Sequence, residues 1–235
     1  CSVNTEQRLN IIAKLTDIIN DNRVALLKEK LEQRTRYLTV VLDDIYIPQN
    51  ASAIMRTSEC LGIQNLHSIQ ERNKHKINRD VVKGAAKWIA LDCYSESIGR
   101  KVCLENLKQQ DYKIVAMTLS EDCIPLDELP VDKKLALCFG CEETGLSQEL
   151  EDKADYKVQI PLHGFTQSYN VSVSAGICLY YLANKIKDTE QDWQLNQEEK
   201  ENLLIDWLSK STPTGSSLLE KYKEESIRQR SCSSQ

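Results

Sequence analysis

Ile160-Pro161-Leu162-His163-Gly164-Phe165-Thr166-Gln167-Ser168-Tyr169-Asn170-Val171-Ser172-Val173-Ser174-Ala175 is the stretch on which the reading of this chain turns. Val158, Gln159 and Ile160 have strand character, and Pro161 and Gly164 break the strand into a loop. Gln167, Ser168 and Asn170 then open an apolar pattern over residues 171–186, the mark of a long helix. The first amides of a helix lack intrahelical partners and its dipole favours negative charge, so polar side chains and free N–H groups meet there. Such a terminus suits a small ligand. Just inside the helix, Ser172, Ser174, Ala175 and Gly176 are small enough to admit another backbone or a cofactor. Taken alone, the segment reads first as a serine cap on an ordinary buried helix.

The same strand–loop–helix grammar recurs toward the N-terminus. The apolar run Leu135-Ala136-Leu137-Cys138-Phe139 is followed by Gly140-Cys141-Glu142-Glu143-Thr144-Gly145-Leu146-Ser147, a glycine-bounded turn into a helix that Ser147 can cap. A loop at the carboxyl end of a strand is where open α/β sheets bind ligands. Val40 to Asp44 read as another strand end, Pro48 sets the start of a helix bearing Asn50 and Arg56, and Gly62 closes it. Ile54 and Leu61 mark the buried side of that helix, and Arg56 points elsewhere, as any solvated arginine would. Strand patterns at 37–42, 65–69, 88–94, 113–118, 135–139 and 157–160, mostly separated by helical ones, predict an α/β fold with a mostly parallel sheet covered by helices.

Leu9, Ile12, Leu15, Ile19 and Leu26 recur at helical spacing, so residues 5–34 read as an amphipathic arm. Leu203, Leu204, Trp207 and Leu208 mark a short helix near the other end, and a Thr212-to-Ser217 break precedes a charged tail whose end, 231–235, reads as disordered. The expected division is therefore an N-terminal helical arm (1–36), a core (37–187) and a C-terminal helical extension with a flexible tail (188–235).

Asn50-Ala51-Ser52-Ala53-Ile54-Met55-Arg56-Thr57, residues 139–147 and Gln167-Ser168-Tyr169-Asn170-Val171-Ser172-Val173-Ser174 resemble, in order and spacing, the three motifs of the SpoU branch of the SPOUT RNA 2′-O-ribose methyltransferases. The resemblance runs from about Leu38 to Ile186. Leu38-Thr39-Val40 ahead of Asp44-to-Asn50, with Lys83-Gly84-Ala85-Ala86-Lys87-Trp88, looks most like the tRNA guanosine-18 2′-O-methyltransferases. It implies a trefoil knot near 160–187, S-adenosyl-L-methionine as cofactor, an RNA substrate, most readily tRNA, and a homodimer. It also implies Arg56 as the catalytic residue, with Asn50, Glu142, Ser168 and Asn170 shaping the site. The cofactor positions it implies are Met117, Thr118, Gly140, Gly145, Ile160, Leu162, Ser168 and Tyr169. Tyr169 stands where similar proteins usually carry Leu, and Cys141 where they often have an amide or a small residue. Arg56 is assigned either as acceptor of the hydroxyl proton or as a charge that orients the adjacent phosphate. The alternatives are a ribosomal-RNA methyltransferase of the same branch and a non-catalytic RNA-binding relative.

Composition limits the other readings. The chain has 235 residues, 41% of them hydrophobic, enough for one core of ordinary domain size with peripheral helices. No apolar run approaches a membrane span, and the expected setting is the cytoplasm, without a membrane. The nine cysteines lack the spacing of a disulfide scaffold and read as free thiols. Cys138 and Cys141 form a CxxC, but no second pair or suitably spaced histidine completes a metal site, so no metal is expected. The net charge of −5 conceals segregation. Arg23, Lys28, Lys30, Arg34 and Arg36 cluster, as do Arg72, Lys74, Lys76, Arg79, Lys83 and Lys87, while acids gather at 142–155 and 188–206. Either basic stretch could touch phosphate, or simply be a solvated face.

Overall fold

The computed structural model describes residues 4–72, 84–95 and 97–222. Lys74, Lys76, Arg79 and Lys83 of the second basic stretch, and the 231–235 end, lie outside the described residues. The chain forms two compact units, one of Cys1–Arg34 with Gln194–Gln235 and the other Thr35–Trp193.

Elements are numbered in chain order. The smaller unit contains α1 (Thr5–Thr16), α2 (Asp21–Leu31) and α8 (Gln197–Ser209). The arm is thus two helices rather than one. Asp17, Asn20, Asp21 and Asn22 compete with the helical backbone through their own side chains, and the Asn20 Oδ1 accepts the Asn22 amide at 3.0 Å to restart the helix. Leu9 and Leu26, expected on the buried stripe, are exposed, and the buried positions are Ile11, Leu15, Val24, Leu27 and Leu31. Arg8 is buried and donates to Glu201 at 2.7 Å and Glu198 at 3.1 Å, tying α1 to α8. Arg34 is also buried and lies over the Trp207 ring, so part of the first basic stretch is structural.

The larger unit runs β1 (Leu38–Asp43), α3 (Pro48–Cys60), β2 (Asn65–Ile69), α4 (Ala85–Trp88), β3 (Ala90–Tyr94), α5 (Gly99–Gln109), β4 (Tyr112–Met117), β5 (Ile124–Pro125), β6 (Lys134–Gly140), α6 (Gln148–Lys153), β7 (Tyr156–Gln159) and α7 (Val171–Lys187). Trp88 ends a helical turn rather than opening a strand, and β5 is a short edge strand that periodicity could not reveal. The strands form one sheet in the order β3-β2-β1-β6-β4-β7-β5, with every pairing parallel.

Alternation along the strands explains the two cores. Leu135, Leu137 and Phe139 face the cluster that contains Ile54 and Met55 of α3 and Cys178, Leu179, Leu182 and Ile186 of α7. Ala136 and Cys138 face the opposite cluster, with Cys103, Leu104 and Leu107 of α5 and Leu150 of α6. A parallel strand covered on both faces reads as an unbroken apolar run, which is why β6 was legible. Pro48 occupies the first turn of α3, and Gly62 follows its end at φ +81°, a left-handed conformation that glycine adopts without a Cβ clash.

The chain adds β2 and β3 on one side of β1, then crosses to build the remainder beyond β6. This reversal places the carboxyl ends of β1 and β6 at a topological switch point, where the connections diverge and leave a crevice.

Candidate active site

The loops leaving β4, β6 and β7 enclose a cavity of about 560 Å³. Met117 and Thr118 come from the end of β4, Gly140 and Gly145 from the loop after β6, Ile160 and Leu162 from the segment after β7, and Ser168 and Tyr169 from the approach to α7. All of these line the cavity, and so do Glu142 and Asn170. His163 and Arg56 do not.

The loop after β6 is folded back on itself. Cys141 and Gly145 exchange backbone hydrogen bonds of 3.0 and 2.8 Å, and Gly145 lies at φ +71°. A Cβ on Gly140 would sit 2.2 Å from the Gly145 carbonyl carbon, so only glycine permits this closure. By contrast, a Cβ on Gly176 would meet nothing within 4 Å, so packing among the described residues does not require glycine there. Ser147 stands at the N-cap of α6 as expected, but its hydroxyl is buried and has no hydrogen-bond partner among the described residues; its amide instead donates to Asp43 Oδ2 at 2.9 Å.

One chain of hydrogen bonds joins the three segments. Asn50 Nδ2 donates to Glu142 Oε1 at 2.5 Å, and the Tyr46 amide donates to Glu142 Oε2 at 3.0 Å. Asn170 Nδ2 in turn donates to Asn50 Oδ1 at 3.3 Å. Asn170 Oδ1 caps α7, accepting from the Ser172 amide at 2.9 Å and its hydroxyl at 2.6 Å. The cap is therefore Asn170, not a serine. Asn50 is buried at the start of α3, whereas Arg56 is exposed further along it and makes no hydrogen bond or ion pair among the described residues. Within one chain, then, the structure unites Asn50, Glu142 and Asn170 at the rim of the cavity and leaves Arg56 outside it.

The chain belongs to the SpoU rRNA methylase family. Residues 37–180 match the model of that family. A tRNA (guanosine(18)-2′-O)-methyltransferase of Borreliella burgdorferi is 43% identical over 84% of this chain and 89% of its own length. One from Aquifex aeolicus is 32% identical over 81% of this chain and 90% of its own. The crystal structure of the A. aeolicus TrmH/SpoU tRNA modifying enzyme superposes with a TM-score of 0.70 at 31% identity, covering 82% of this chain and 98% of that one.

Two groups around the site gave no sequence signal as members of a SpoU methylase site. Arg100, at the start of α5, is buried and binds three carboxylates: Asp43 at 2.8 Å, Asp44 at 3.0 Å and Glu71 at 2.5 Å. Burial pulls its pKa down, but the three carboxylates outweigh this and raise it above the ordinary value. Because Asp43 also holds Ser147 and Asp44 opens the loop that carries Tyr46, Arg100 braces both loops that meet at Glu142. The second group is Glu151 of α6, a cavity-lining carboxylate that accepts from the Thr118 hydroxyl at 2.7 Å. Cys138 fills a buried strand position, where burial pushes its thiol well up, and Cys141 lines the cavity; both are free thiols.

Proposed function

We propose that this chain transfers the methyl group of S-adenosylmethionine to the ribose 2′-hydroxyl of guanosine 18 in tRNA. The observation that carries this reading is the Glu142–Asn50–Asn170 hydrogen-bond chain, which joins the start of α3, the loop after β6 and the N-cap of α7 at the mouth of a ligand-sized cavity. The residues fit the cofactor. About 560 Å³ lies within the ~300–1,000 Å³ usual for small-molecule sites, and Met117, Ile160 and Leu162 offer apolar walls beside many backbone amides. The similarity to enzymes named for guanosine-18 methylation supports the choice of nucleotide.

S-adenosylmethionine brings an already activated methyl group, so the protein's task is alignment and charge management. Glu142 fixes Asn50 through a charge-assisted hydrogen bond, and Asn50 fixes Asn170, so the acceptor side of the site is held rigid before substrate arrives. Ser168 and Tyr169 occupy the adjoining wall. Arg56 acts here as a cation. It orients the phosphate next to the reacting ribose and stabilises the oxyanion that develops there, and the hydroxyl proton leaves to solvent water as the methyl group moves from sulfur to oxygen.

Since Arg56 lies outside its own chain's cavity, this mechanism requires a second copy. The proposed homodimer pairs through α7, where Val173, Ile177, Tyr180 and Tyr181 are exposed along one face and Phe165 of the preceding loop is fully exposed. An apolar face of that kind on a central helix suits a self-complementary interface. We further assign the trefoil knot to residues 160–187, RNA contact to the 1–36 arm, and the site of action to the cytoplasm. No helix among the described residues is long and apolar enough to cross a membrane.

The test is mass spectrometry of tRNA nucleosides after incubation with the purified chain and cofactor. Ribose-methylated guanosine at position 18 is expected, and methylation confined to ribosomal RNA would reject the assignment.

A further inference from the structure

The wall of the cavity carries charge of one sign. Glu142 and Glu151 line it, and among the described residues none that lines it is Lys, Arg or His. Glu142 is engaged on both oxygens, by Asn50 and by the Tyr46 amide. Glu151 is engaged on one, Oε1, by the Thr118 hydroxyl, and its other oxygen makes no hydrogen bond among the described residues. Lys157, a cation that feels the charge of Glu151, is itself paired with Asp122 at 2.8 Å.

We propose that Glu151 makes the cavity selective for the cationic, methyl-bearing form of the cofactor over its neutral demethylated product. The inference rests on the S-adenosylmethionine reading. The sulfonium donor has a net charge of +1 and the thioether product of zero, and the two otherwise differ by one methyl group. A ligand shifts an equilibrium only through differential interaction, and a fixed carboxylate in a partly enclosed wall interacts differentially with these two. Thr118 keeps that carboxylate in place, so the discrimination needs no rearrangement. Entry of one Arg56 from a partner copy would leave two carboxylates against one cation, and the sign of the wall would persist. The consequence is that product is bound more weakly than donor.

The experiment is calorimetric titration of the full chain at low salt with S-adenosylhomocysteine and with sinefungin, an unreactive analogue that carries a cationic amine at the methyl-bearing position. The wild-type chain should prefer sinefungin. Glu151→Gln should reduce that preference by about threefold or more, with S-adenosylhomocysteine affinity changed by less than about twofold, as expected for loss of one wall charge at an intermediate effective dielectric. Glu149→Gln removes a charge from the same helix outside the cavity and should leave the ratio intact. An unchanged ratio in folded Glu151→Gln, or an equal loss in Glu149→Gln, would overturn the proposal. If circular dichroism shows Glu151→Gln unfolded, Glu151→Met carries the same comparison. Failure of the wild-type chain to bind either ligand would instead overturn the cofactor reading beneath it.

Discussion

At the scale of single residues, Gly140 and Arg56 show how differently two positions in neighbouring motifs act. Gly140 is constrained by space: any Cβ there collides with backbone at 2.2 Å, and backbone cannot swing aside as a flexible side chain can. Gly140→Ala should therefore displace the Cys141–Gly145 turn and abolish cofactor binding, read as loss of the ligand-induced rise in Tm, while the sheet's circular dichroism persists. Arg56 is constrained, on the proposed mechanism, by chemistry. It is exposed and makes no hydrogen bond or ion pair among the described residues, so Arg56→Ala should change stability by no more than about 0.5 kcal/mol yet lower methyl transfer by at least about a hundredfold, with cofactor affinity preserved. Retained turnover would remove Arg56 from the mechanism.

At the scale of elements, the loops are held by buried charge. Arg100 links the end of β1 to the segment after β2 and, through Asp43, to the start of α6. Removing it leaves Asp43 and Asp44 buried without their cation, so Arg100→Ala should cost about 3–5 kcal/mol, measured by chemical denaturation. Asp155 performs a smaller task between β4 and β7. Burial pushes its carboxyl up, but the Lys113 ammonium at 2.9 Å and the Ile114 amide at 2.8 Å outweigh this and hold its pKa below the usual value. A depressed folded pKa means that the stabilisation is complete above the unfolded carboxylate value and is lost as pH falls through the folded one. Asp155→Asn should therefore melt below wild type at neutral pH, and the gap should close below about pH 4. A gap independent of pH would assign the effect to packing.

At the scale of the whole molecule, the proposed site is half of an assembly. Chains carrying Arg56→Ala, mixed under exchange conditions with chains carrying Gly140→Ala, should recover activity, because each heterodimer then holds one cavity and one arginine that belong together. Verified heterodimers without recovery would reject the shared site. Light scattering that returns a monomer at assay concentration would reject the dimer itself.

Much of this molecule was written locally. Period and punctuation marked β1, β2, β4, β6 and β7, because parallel strands buried on both faces produce short apolar runs bounded by Pro, Gly and polar caps. The motif residues Asn50, Glu142 and Asn170 were legible through the resemblance to the SpoU-branch motifs, and the structure brings those three side chains into one hydrogen-bond chain. What the sequence could not contain was the partner of each buried charge. Arg100 is 57 residues from Asp43, and Glu151 lies 33 residues from Thr118, so their pairing exists only once the strands have been ordered in the sheet. The break in the N-terminal arm, the open space beside Gly176 and the exclusion of Arg56 from its own cavity were likewise tertiary outcomes. Local periodicity reports which face of an element is buried; which neighbour buries it is settled by three-dimensional packing.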